Sequence, residues 1–542
     1  MVIQCNPWAR PLIWLLPLLA ACAGDAPTGP GVEAPTLESV ALTQALNPAL
    51  PGTVTGSLVG DTIVFEIPAV VTDVSRLVPT FTVSDSTATV QQGSAVLQSG
   101  VSAFDGRTDA TWRVAEGAAA RQYVVRVVVF TGLPVISVYT DGGAAITSKT
   151  VYVPGWARVY GGKNHPEWSM DSTRLQVRGR GNSTWSIPPK KPYRLKFTVT
   201  TPMLGFPTHR SWVLLANYWD LTLARNAVAF KLSELVGMAY TPRCQPVELV
   251  LNGEFQGAYQ LCDQVETTDS RVPAGVGGWL LQLNDSSRLE PTDVAFQTPR
   301  IAAFSQEWRG SYWVYKTPDP PTIAQRTAIE GQLNTFEANL FGAGFAHPDT
   351  GYATYLDVAS IIDWYLVQEL AKNNDAMFIN SVYIFGTATR KITFGPLWDF
   401  DLAFGGYPYI PEPTGWRIRS APWIERLLDD RAFIDKLKAR WQALYAKRAE
   451  VDAYLVDYAR RMASSQRRTH ALWAPYGPKP MVMAPDGPAA FALASTGGWP
   501  VGAPSPGPIG AFTDAEYAAE VQALRTWLSA RFAWLNTNIM NL

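Results

Sequence analysis

Short apolar runs that alternate with polar positions dominate the chain before residue 134. Three of them, Thr62–Ile67, Leu77–Val83 and Gln122–Phe130, are rich in β-branched residues and are separated by turn-forming residues. Alternation with a period of two predicts strands with one buried face, and helical spacing is absent. The pattern predicts a small β-sandwich, immunoglobulin-like, over residues 36–133. This predicted domain contains no recognisable set of catalytic residues, so a spacer or binding module is the simpler interpretation.

From residue 134 the apolar spacing changes between that of strands and that of helices. Helices are predicted over Leu223–Val236, closed by Gly237, and over Asp357–Lys372, because apolar residues recur there every three or four positions. Asp363 and Glu369 are expected on the surface of the second helix. This mixture predicts an α+β fold for residues 134–542. Strands are predicted at Val135–Tyr139, Arg174–Arg178, Tyr193–Phe197 and Trp212–Leu215.

A hairpin and a helical C-terminal region complete the predicted elements. The turn-forming dipeptide Asn252-Gly253 separates two further apolar runs, Val247–Leu251 and Ala258–Leu261. Beyond Pro422 helical spacing prevails, interrupted by one Pro- and Gly-rich loop. The predicted helices are Ile424–Arg448, Asp452–Ser465 and Asp514–Ile539, and the loop is Pro475–Pro508.

The first 22 residues are predicted to be a targeting segment. Arg10 precedes a short apolar run, Pro11–Leu19, and Leu19–Cys22 resembles the lipobox of bacterial lipoproteins. In such proteins the cysteine, here Cys22, becomes the lipidated first residue. The alternative is an ordinary secretory signal with an incidental cysteine.

Residues 23–35, rich in Gly, Pro and Ala, are predicted to be a flexible tether. Ala23 after the cysteine resembles outer-membrane sorting, so we expect a lipid-anchored protein of the cell envelope, on the outer membrane. The 45 basic residues nearly balance the 46 acidic ones, which argues against nucleic acid as a partner.

Two cysteines remain after removal of the signal and lipidation, Cys244 and Cys262. They bracket the hairpin symmetrically about Gly253, and export places them where disulfides persist. An odd-length loop centred on Gly253 would set them directly opposite each other, which predicts a disulfide. An even-length loop or a bulge would instead put them on opposite faces and leave two buried thiols.

An acid-free basic stretch is the first indication of chemistry. Between Ser172 and Trp219 there is no Asp or Glu, although eight Lys and Arg residues occur there. The stretch contains a Gly-rich turn beside cationic side chains, which suits phosphate binding. Lys196 on the next strand is the candidate partner of the α- and β-phosphates, unless it is a solvated edge lysine. The turn consists of Arg178, Gly179, Arg180, Gly181, Asn182 and Ser183.

Acidic residues in a characteristic order follow downstream. Asp375 is followed five residues later by Asn380, and after two apolar runs by Asp399 and Asp401. Protein-kinase-like enzymes use this order: one Asp orients the attacking hydroxyl, while the Asn and the later Asp hold Mg²⁺. Each residue alone could equally cap a helix or turn the chain. Together with the basic turn they favour a nucleotide site.

Several longer motifs resemble the spore-coat protein H (CotH) kinase family. The similarity covers roughly residue 134 to the C-terminus. It implies an atypical protein-kinase-like fold that binds ATP with Mg²⁺ (or Mn²⁺) and phosphorylates Ser residues of secreted or coat proteins. The motifs are Arg178–Trp185, Lys191–Phe197, Leu214–Tyr218 with Arg225-Asn226, Val247–Glu254 with Gly257–Tyr259, and Gly395–Gly405.

The resemblance assigns a role to each candidate residue. Asp375 would be the catalytic Asp, and Asn380 and Asp399 would be metal ligands, with Asp401 as a further carboxylate. The Arg178–Ser183 turn and Lys196 would hold phosphates, and the segment after Leu261 would approach the adenine.

The chain also departs from the usual kinase pattern. Asn373-Asn374 replaces the usual His-Arg before the catalytic Asp, and Asp401 replaces the Gly of Asp-Phe-Gly. The glutamate that normally pairs with the phosphate-binding lysine has only one candidate, Glu234.

The expected function is therefore an extracytoplasmic, Mg²⁺-dependent transfer of phosphate from ATP to Ser or Thr of an envelope or secreted protein. Two alternatives remain open. One is a cell-surface binding or assembly protein on a kinase-like scaffold. The other is a nucleotide-dependent transferase other than a kinase, since a fold does not specify the transferred group.

Overall fold

The computed structural model describes residues 33–69, 71, 73–162, 164–305, 310–407, 410–473 and 512–542. The signal segment with Cys22, most of the tether and the loop Pro475–Pro508 lie outside the described residues. The chain divides into two compact units. One contains residues up to Phe65 together with Val74–Val127, and the other contains Glu66–Asp73 together with Val128–Leu542.

The N-terminal region is built from strands, as predicted. They form two sheets, ordered β2-β1-β5 and β3-β4-β9-β8-β6-β7. Trp112 is fully buried and packs against Phe81 of the other sheet, with ring centroids 5.8 Å apart. The immunoglobulin-like topology stays a prediction. The strands are β1 Leu37–Leu42, β2 Val54–Thr55, β3 Ser57–Val59, β4 Thr62–Pro68, β5 Thr80–Val83, β6 Thr89–Gln92, β7 Ala95–Leu97, β8 Ala110–Glu116 and β9 Ala119–Phe130.

The second unit begins with a closed seven-stranded barrel. Its order is β10-β11-β12-β13-β14-β16-β15, and parallel pairing of β10 with β15 closes it. Because side chains alternate along a strand, Val177 and Leu195 fill the interior while Arg178 and Arg194 lie on the outer surface. The strands are β10 Val135–Thr140, β11 Val153–Tyr160, β12 Met170–Gly179, β13 Tyr193–Met203, β14 Phe206–Leu215, β15 Cys244–Leu251 and β16 Glu254–Asp263.

A five-stranded sheet and helices follow. The sheet order is β18-β19-β17-β20-β21. Its strands are β17 Trp279–Asp285, β18 Ala295–Phe296, β19 Ser311–Thr317, β20 Val382–Gly386 and β21 Thr393–Phe394. The helices are α1 Ser183–Ser186, α2 Arg225–Val236, α3 Pro299–Ser305, α4 Ile323–Leu340, α5 Val358–Ala371, α6 Pro422–Leu427, α7 Arg431–Ala446, α8 Arg448–Leu472 and α9 Asp514–Met540.

Two helix predictions need correction. The single helix predicted over Ile424–Arg448 is wrong, because Asp430 accepts a hydrogen bond from the backbone N of Ala432 at 2.9 Å and caps a new helix, α7. Glu369 and Asp363 on α5 were interpreted as surface residues, but their side chains are 0% and 5% exposed. Helices α2, α7 and α9 pack around α5, so almost none of its surface reaches solvent.

Among the described residues, no helix is both long and apolar enough to cross a membrane.

The hairpin β15–β16 places its two cysteines opposite each other by an unexpected route. Leu251 pairs with Glu254 across a two-residue turn, an even length that alone would misalign the cysteines. A one-residue bulge at Gln256 then shifts the register by one, so Cys244 pairs directly with Cys262. The turn and the bulge therefore compensate each other. Both thiols are free in the structure, and the disulfide stays a prediction.

We expect the Cys244–Cys262 disulfide in protein purified without reducing agent. Cross-strand partners of this kind have Cα atoms near the lower end of the range that a disulfide spans. Closing this loop would stabilise the fold by about 3 kcal/mol relative to the reduced chain. Peptide mapping under non-reducing conditions measures the bridge. Two alkylatable thiols at these positions would show that the prediction is wrong.

Candidate functional site

A cleft of about 790 Å³ lies within the second unit, against the outer surface of the barrel. Strands β12 and β13 and the turn that follows β12 line one side with basic residues. The other side is acidic and comes from the segments after β17, after α5 and after β21. We call these the basic wall and the acidic wall. The basic wall is Arg178, Arg180, Lys190 and Arg194, and the acidic wall is Asp375, Asp399 and Asp401.

Local backbone geometry presents Asp375 to the cleft. Helix α5 ends at Ala371, and the left-handed backbone of the next residue, Lys372 (φ 47°), stops the helix. The next residues form a single 3₁₀ turn, Asn374–Ala376, capped by the Asn373 side chain. This turn places Asp375 beside the end of the helix, where it lines the cleft. The predicted catalytic role requires a position in the cleft.

The segment carrying Asp399 is held from two sides. Asn373 donates its side-chain amide to the backbone oxygen of Asp399 at 3.0 Å, which ties this segment to the one carrying Asp375. On the other side Asn226 accepts a hydrogen bond from the backbone N of Phe400 at 2.9 Å. Asp399 itself has a left-handed backbone (φ 71°), and its carboxylate accepts a hydrogen bond from Ser381 at 3.0 Å. These contacts place the carboxyl groups of Asp375 and Asp399 next to each other.

Arg288 is a functional candidate that sequence reasoning missed. It lies in the 3₁₀ turn Ser286–Arg288 after β17, and its side chain is 14% exposed. Its Nη2 is 3.3 Å from Asp375 Oδ2, and its Nη1 is 3.8 Å from Asp399 Oδ2. One guanidinium therefore contacts two of the three carboxylates of the acidic wall.

The acidic wall concentrates negative charge in a partly buried place, where the side chains of Asp375 and Asp399 are 26% and 33% exposed. Burial raises the pKa of Asp375, and Asp399 raises it further, while Arg288 acts in the opposite direction. Burial also raises the pKa of Asp401 well above its usual range, and Asp399 and Asp375 add to the rise. Carboxylates in such surroundings gain stability when a cation joins them.

Asp401→Asn is expected to stabilise the metal-free protein at neutral pH. The pKa of Asp401 in the folded state is raised above its ordinary value of 3.8. Its contribution to the free energy of unfolding is therefore fully present below pH 3.8, and it is lost as the pH rises through the folded-state pKa. Removing the charge should raise the free energy of unfolding on the order of 1 kcal/mol at pH 7 and less at pH 4. Urea titrations at both pH values measure this. An equal gain in the free energy of unfolding at both pH values would show that the charge of Asp401 is not the cause.

Asn380, predicted as a metal ligand, faces away from the cleft. Its side-chain oxygen accepts the backbone N–H of Asp285 at 2.8 Å, and its amide donates to the Asp285 carboxylate at 2.9 Å. Both ends of the amide are thus engaged with the end of β17, and Asn380 is 3% exposed. Its neighbour Ser381 lines the cleft instead. The structure corrects the expected placement of this residue.

The basic wall has unsatisfied donors. Arg178 and Arg194 are directly opposite each other on β12 and β13, an arrangement of like charges that costs free energy. The Nε atoms of both are buried and have no hydrogen-bond partner among the described residues. Burial also lowers the pKa of Arg180, which contacts the ring of Trp398 at 5.5 Å. An anion between these side chains would satisfy the Nε donors of Arg178 and Arg194 and offset the buried charge of Arg180.

The Gly-rich turn folds tightly against its own following residues. A Cβ on Gly179 would lie 2.3 Å from the ring of Trp185, and one on Gly181 (φ 85°) would lie 2.1 Å from Thr184 Oγ1. Glycine is therefore required at both positions. Asn182 accepts a hydrogen bond from Lys149 at 2.9 Å, and Asn182 and Ser183 line the cleft.

Lys196 lies outside the cleft, contrary to expectation. It is exposed on β13, 6.0 Å from the ring of Tyr152. Arg194, two residues earlier on the same face, lines the cleft and pairs with Glu266 at 2.6 Å. Glu234, the expected partner of the phosphate-binding lysine, is 57% exposed and pairs with Lys231 on its own helix. Arg194 and Glu266 thus form one of the ion pairs that line the cleft.

Lys190 is a second residue that sequence reasoning missed. It is 1% exposed, lines the cleft and donates hydrogen bonds to the backbone oxygens of Ala216, at 2.8 Å, and of Ala258. Burial lowers its pKa to about 7. Its position in the middle of the basic stretch Ser172–Trp219 was the available signal.

The acidic wall offers the kind of ligands that a hard divalent cation needs, but too few of them alone. Among the described residues, no three acidic, histidine or cysteine side chains stand close enough to hold a metal ion by themselves. Asp399 and Asp401 supply carboxylate oxygens, which suit Mg²⁺ or Mn²⁺. Mg²⁺ is commonly held by one or two carboxylates together with substrate phosphates. The donor set therefore fits a metal that arrives with a nucleotide.

Comparisons with known proteins identify the family. No curated protein matches the chain. A solved structure, a DUF4623 family protein from Bacteroides eggerthii, is similar over 34% of this chain and 58% of that chain, with 11% identity and a TM-score of 0.13. A similarity this low carries no argument. The family described as CotH kinase protein matches residues 177–535, which include both walls of the cleft. The chain belongs to this CotH kinase family.

Proposed function

We propose that the protein is an extracytoplasmic, metal-dependent kinase-like enzyme that transfers phosphate from ATP to Ser or Thr of an envelope or secreted protein. One observation supports this most directly. The basic wall, which has unsatisfied hydrogen-bond donors, faces the acidic wall, which has clustered carboxylates, across one cleft. The membership of the chain in the CotH kinase family points to the same kind of activity, with ATP and a divalent metal.

A metal–nucleotide complex matches both walls at once. Its phosphates would accept hydrogen bonds from Arg178, Arg180 and Arg194, and the buried Nε atoms of Arg178 and Arg194 otherwise lack partners. Its metal would bind Asp399 and Asp401. A bound metal supplies positive charge that neutralises the phosphates and stabilises charge developing during transfer.

Asp375 would accept the proton of the acceptor hydroxyl. The hydroxyl oxygen forms a bond to the γ-phosphorus of ATP, and the bond from that phosphorus to the β,γ-bridging oxygen breaks. ADP leaves with the electron pair, and the hydroxyl proton passes to the Asp375 carboxylate. Its raised pKa favours this role, since a base works best with a pKa nearer the working pH.

Nucleotide binding by the full chain tests the proposal. We expect ATP to bind with Mg²⁺ or Mn²⁺ and to bind much more weakly without metal. Intact-mass analysis of candidate acceptor proteins then distinguishes addition of phosphate from addition of AMP. Nucleotide binding without any transfer would favour a binding or assembly role, and absence of nucleotide binding would refute the proposal.

The basic wall offers a matched pair of variants for this measurement. Arg178→Met removes a donor that lines the cleft, and Arg174→Met removes an arginine on the same face of β12 that pairs with Asp141 outside it. A charged hydrogen bond contributes about 1.5–3 kcal/mol. We therefore expect roughly 10- to 100-fold weaker ATP binding for Arg178→Met and wild-type binding for Arg174→Met.

We further propose that lipidation of Cys22 holds the protein in the outer membrane. The lipobox-like sequence Leu19–Cys22 supports this. Cys22→Ser should release the protein into the soluble fraction, because the lipid would be its anchor. Cell fractionation with a high-salt wash measures the release. A variant that stays with the membrane would refute the proposed anchor.

A further inference from the structure

Hydrogen bonds that lead to an ion pair hold Arg288 in position. Asn380 forms two hydrogen bonds with Asp285, one through the backbone and one through the carboxylate. Asp285 caps the 3₁₀ turn by accepting the backbone N–H of Ser287 at 2.8 Å, and its carboxylate lies 3.5 Å from Arg288 Nε. The guanidinium is thus directed into the cleft by residues that take no part in its other contacts.

The two remaining nitrogens of Arg288 point to the residues with proposed roles in transfer. Nη2 is 3.3 Å from the proposed base Asp375, and Nη1 is 3.8 Å from the proposed metal ligand Asp399. Within the described part of the chain, no other lysine or arginine forms an ion pair with either carboxylate. Arg288 therefore supplies the positive charge of the acidic wall when nothing is bound.

A divalent cation and Arg288 would compete for the same carboxylate. Asp399 cannot direct its full charge to both, because two cations at such a short separation repel each other. When a metal–nucleotide complex binds, the guanidinium loses part of its interaction with Asp399. The place left between Asp375 and Asp399 is where a phosphoryl group must pass to reach the acceptor hydroxyl.

We propose that Arg288 is a catalytic residue: it neutralises the acidic wall before substrate binds and then donates hydrogen bonds to the transferred phosphoryl group. This rests on the proposed function. Its planar fork of donors suits phosphate oxygens, and an arginine in this role stabilises the charge of the transition state. The arginine comes from the same chain, three residues after the end of β17.

The test begins with metal binding in the absence of nucleotide. Mn²⁺ binding to wild type, Arg288→Met and Arg288→Lys can be measured by electron paramagnetic resonance. Removing the competing charge should tighten Mn²⁺ binding about tenfold or more in Arg288→Met. Arg288→Lys keeps the charge and should bind Mn²⁺ as wild type does. If Arg288 only supported the fold of the acidic wall, its loss would weaken Mn²⁺ binding, which would overturn the proposal.

The second measurement is group transfer with saturating metal and ATP. We expect both variants to be slower, Arg288→Met by about 10³-fold or more, because lysine cannot reproduce the two-pronged contact. Wild-type transfer by Arg288→Met would overturn the proposal. Arg326→Met, an exposed arginine of α4 paired with Glu330, is the control and should match wild type in both measurements.

The two measurements separate this inference from the proposed function. If wild type neither binds ATP nor transfers phosphate, the proposed function fails, and the catalytic role of Arg288 fails with it. If wild type is active and Arg288→Met is equally active, only the inference fails. Circular dichroism and thermal unfolding of each variant establish that the fold is retained.

Discussion

Asp375→Asn is expected to slow phosphate transfer by about 10²–10⁴-fold, the usual contribution of a positioned general base. The substitution removes the proton acceptor but retains a polar side chain of nearly the same shape. ATP binding with Mg²⁺ should stay close to that of wild type, because the role proposed for Asp375 is to act on the acceptor hydroxyl. Single-turnover kinetics and equilibrium nucleotide binding measure the two effects separately. Unchanged transfer would refute the role of Asp375.

Asp399→Asn should show the complementary result. Losing this carboxylate would remove a principal ligand of the proposed metal, so metal-dependent ATP binding should be lost together with transfer. ATP binding measured without metal should change little. Asp171→Asn, on an exposed position of β12, is the matched control and should behave as wild type. Wild-type metal dependence in Asp399→Asn would refute its role as a ligand.

Arg531→Met is expected to lower the free energy of unfolding by about 3–5 kcal/mol, because it leaves a buried charge unpaired. Arg531 on α9 and Glu369 on α5 form an ion pair at 2.7 Å, and both side chains are 0% exposed. The other carboxylate contacts of Glu369 are backbone N–H groups of a loop, which cannot replace the lost charge. The midpoint of urea unfolding measures the effect.

The loop attached to this ion pair contacts the segment that carries the catalytic candidate. Glu369 accepts hydrogen bonds from the backbone N–H groups of Arg417, Ile418 and Arg419 at 2.7–3.0 Å. The Arg417 side chain in turn donates to Asn374, next to Asp375. We therefore expect Arg531→Met to reduce transfer as well as stability.

A surface ion pair provides the control for this prediction. Arg460 and Asp457 on α8 are separated by 2.6 Å, but their side chains are 74% and 50% exposed. Solvent screens such a pair, so Arg460→Met should change the free energy of unfolding by at most about 1 kcal/mol. Equal effects of Arg531→Met and Arg460→Met would contradict the importance assigned to burial.

Local patterns predicted much of the fold. The helix α5 was predicted over Asp357–Lys372, and the structure has Val358–Ala371 with Asp357 as its cap. The hairpin around Asn252-Gly253 was also predicted correctly. Period, capping residues and turn chemistry are properties of neighbouring residues, so they can be read without knowing the tertiary structure.

The predictions failed where residues far away in the sequence determine the contacts of a side chain. Asn380 follows Asp375 at the spacing of a metal ligand, but pairing of β17 with β20 brings Asp285 to its amide. Glu369 lies on a helix whose sequence does not reveal that α2, α7 and α9 enclose it. Arg288 is separated from Asp375 by 87 residues, and no local signal connects the two.

The sequence by itself determined which residue types could carry the chemistry, the order in which they occur and the kind of element that holds each. Since side chains alternate along a strand, Arg194 and Lys196 lie on the same face of the predicted strand Tyr193–Phe197. Only the tertiary structure decided that Arg194 faces the cleft and Lys196 does not. Two residues along a strand span about 7 Å, enough to cross the edge of a cleft whose limits are set by segments far away in the chain.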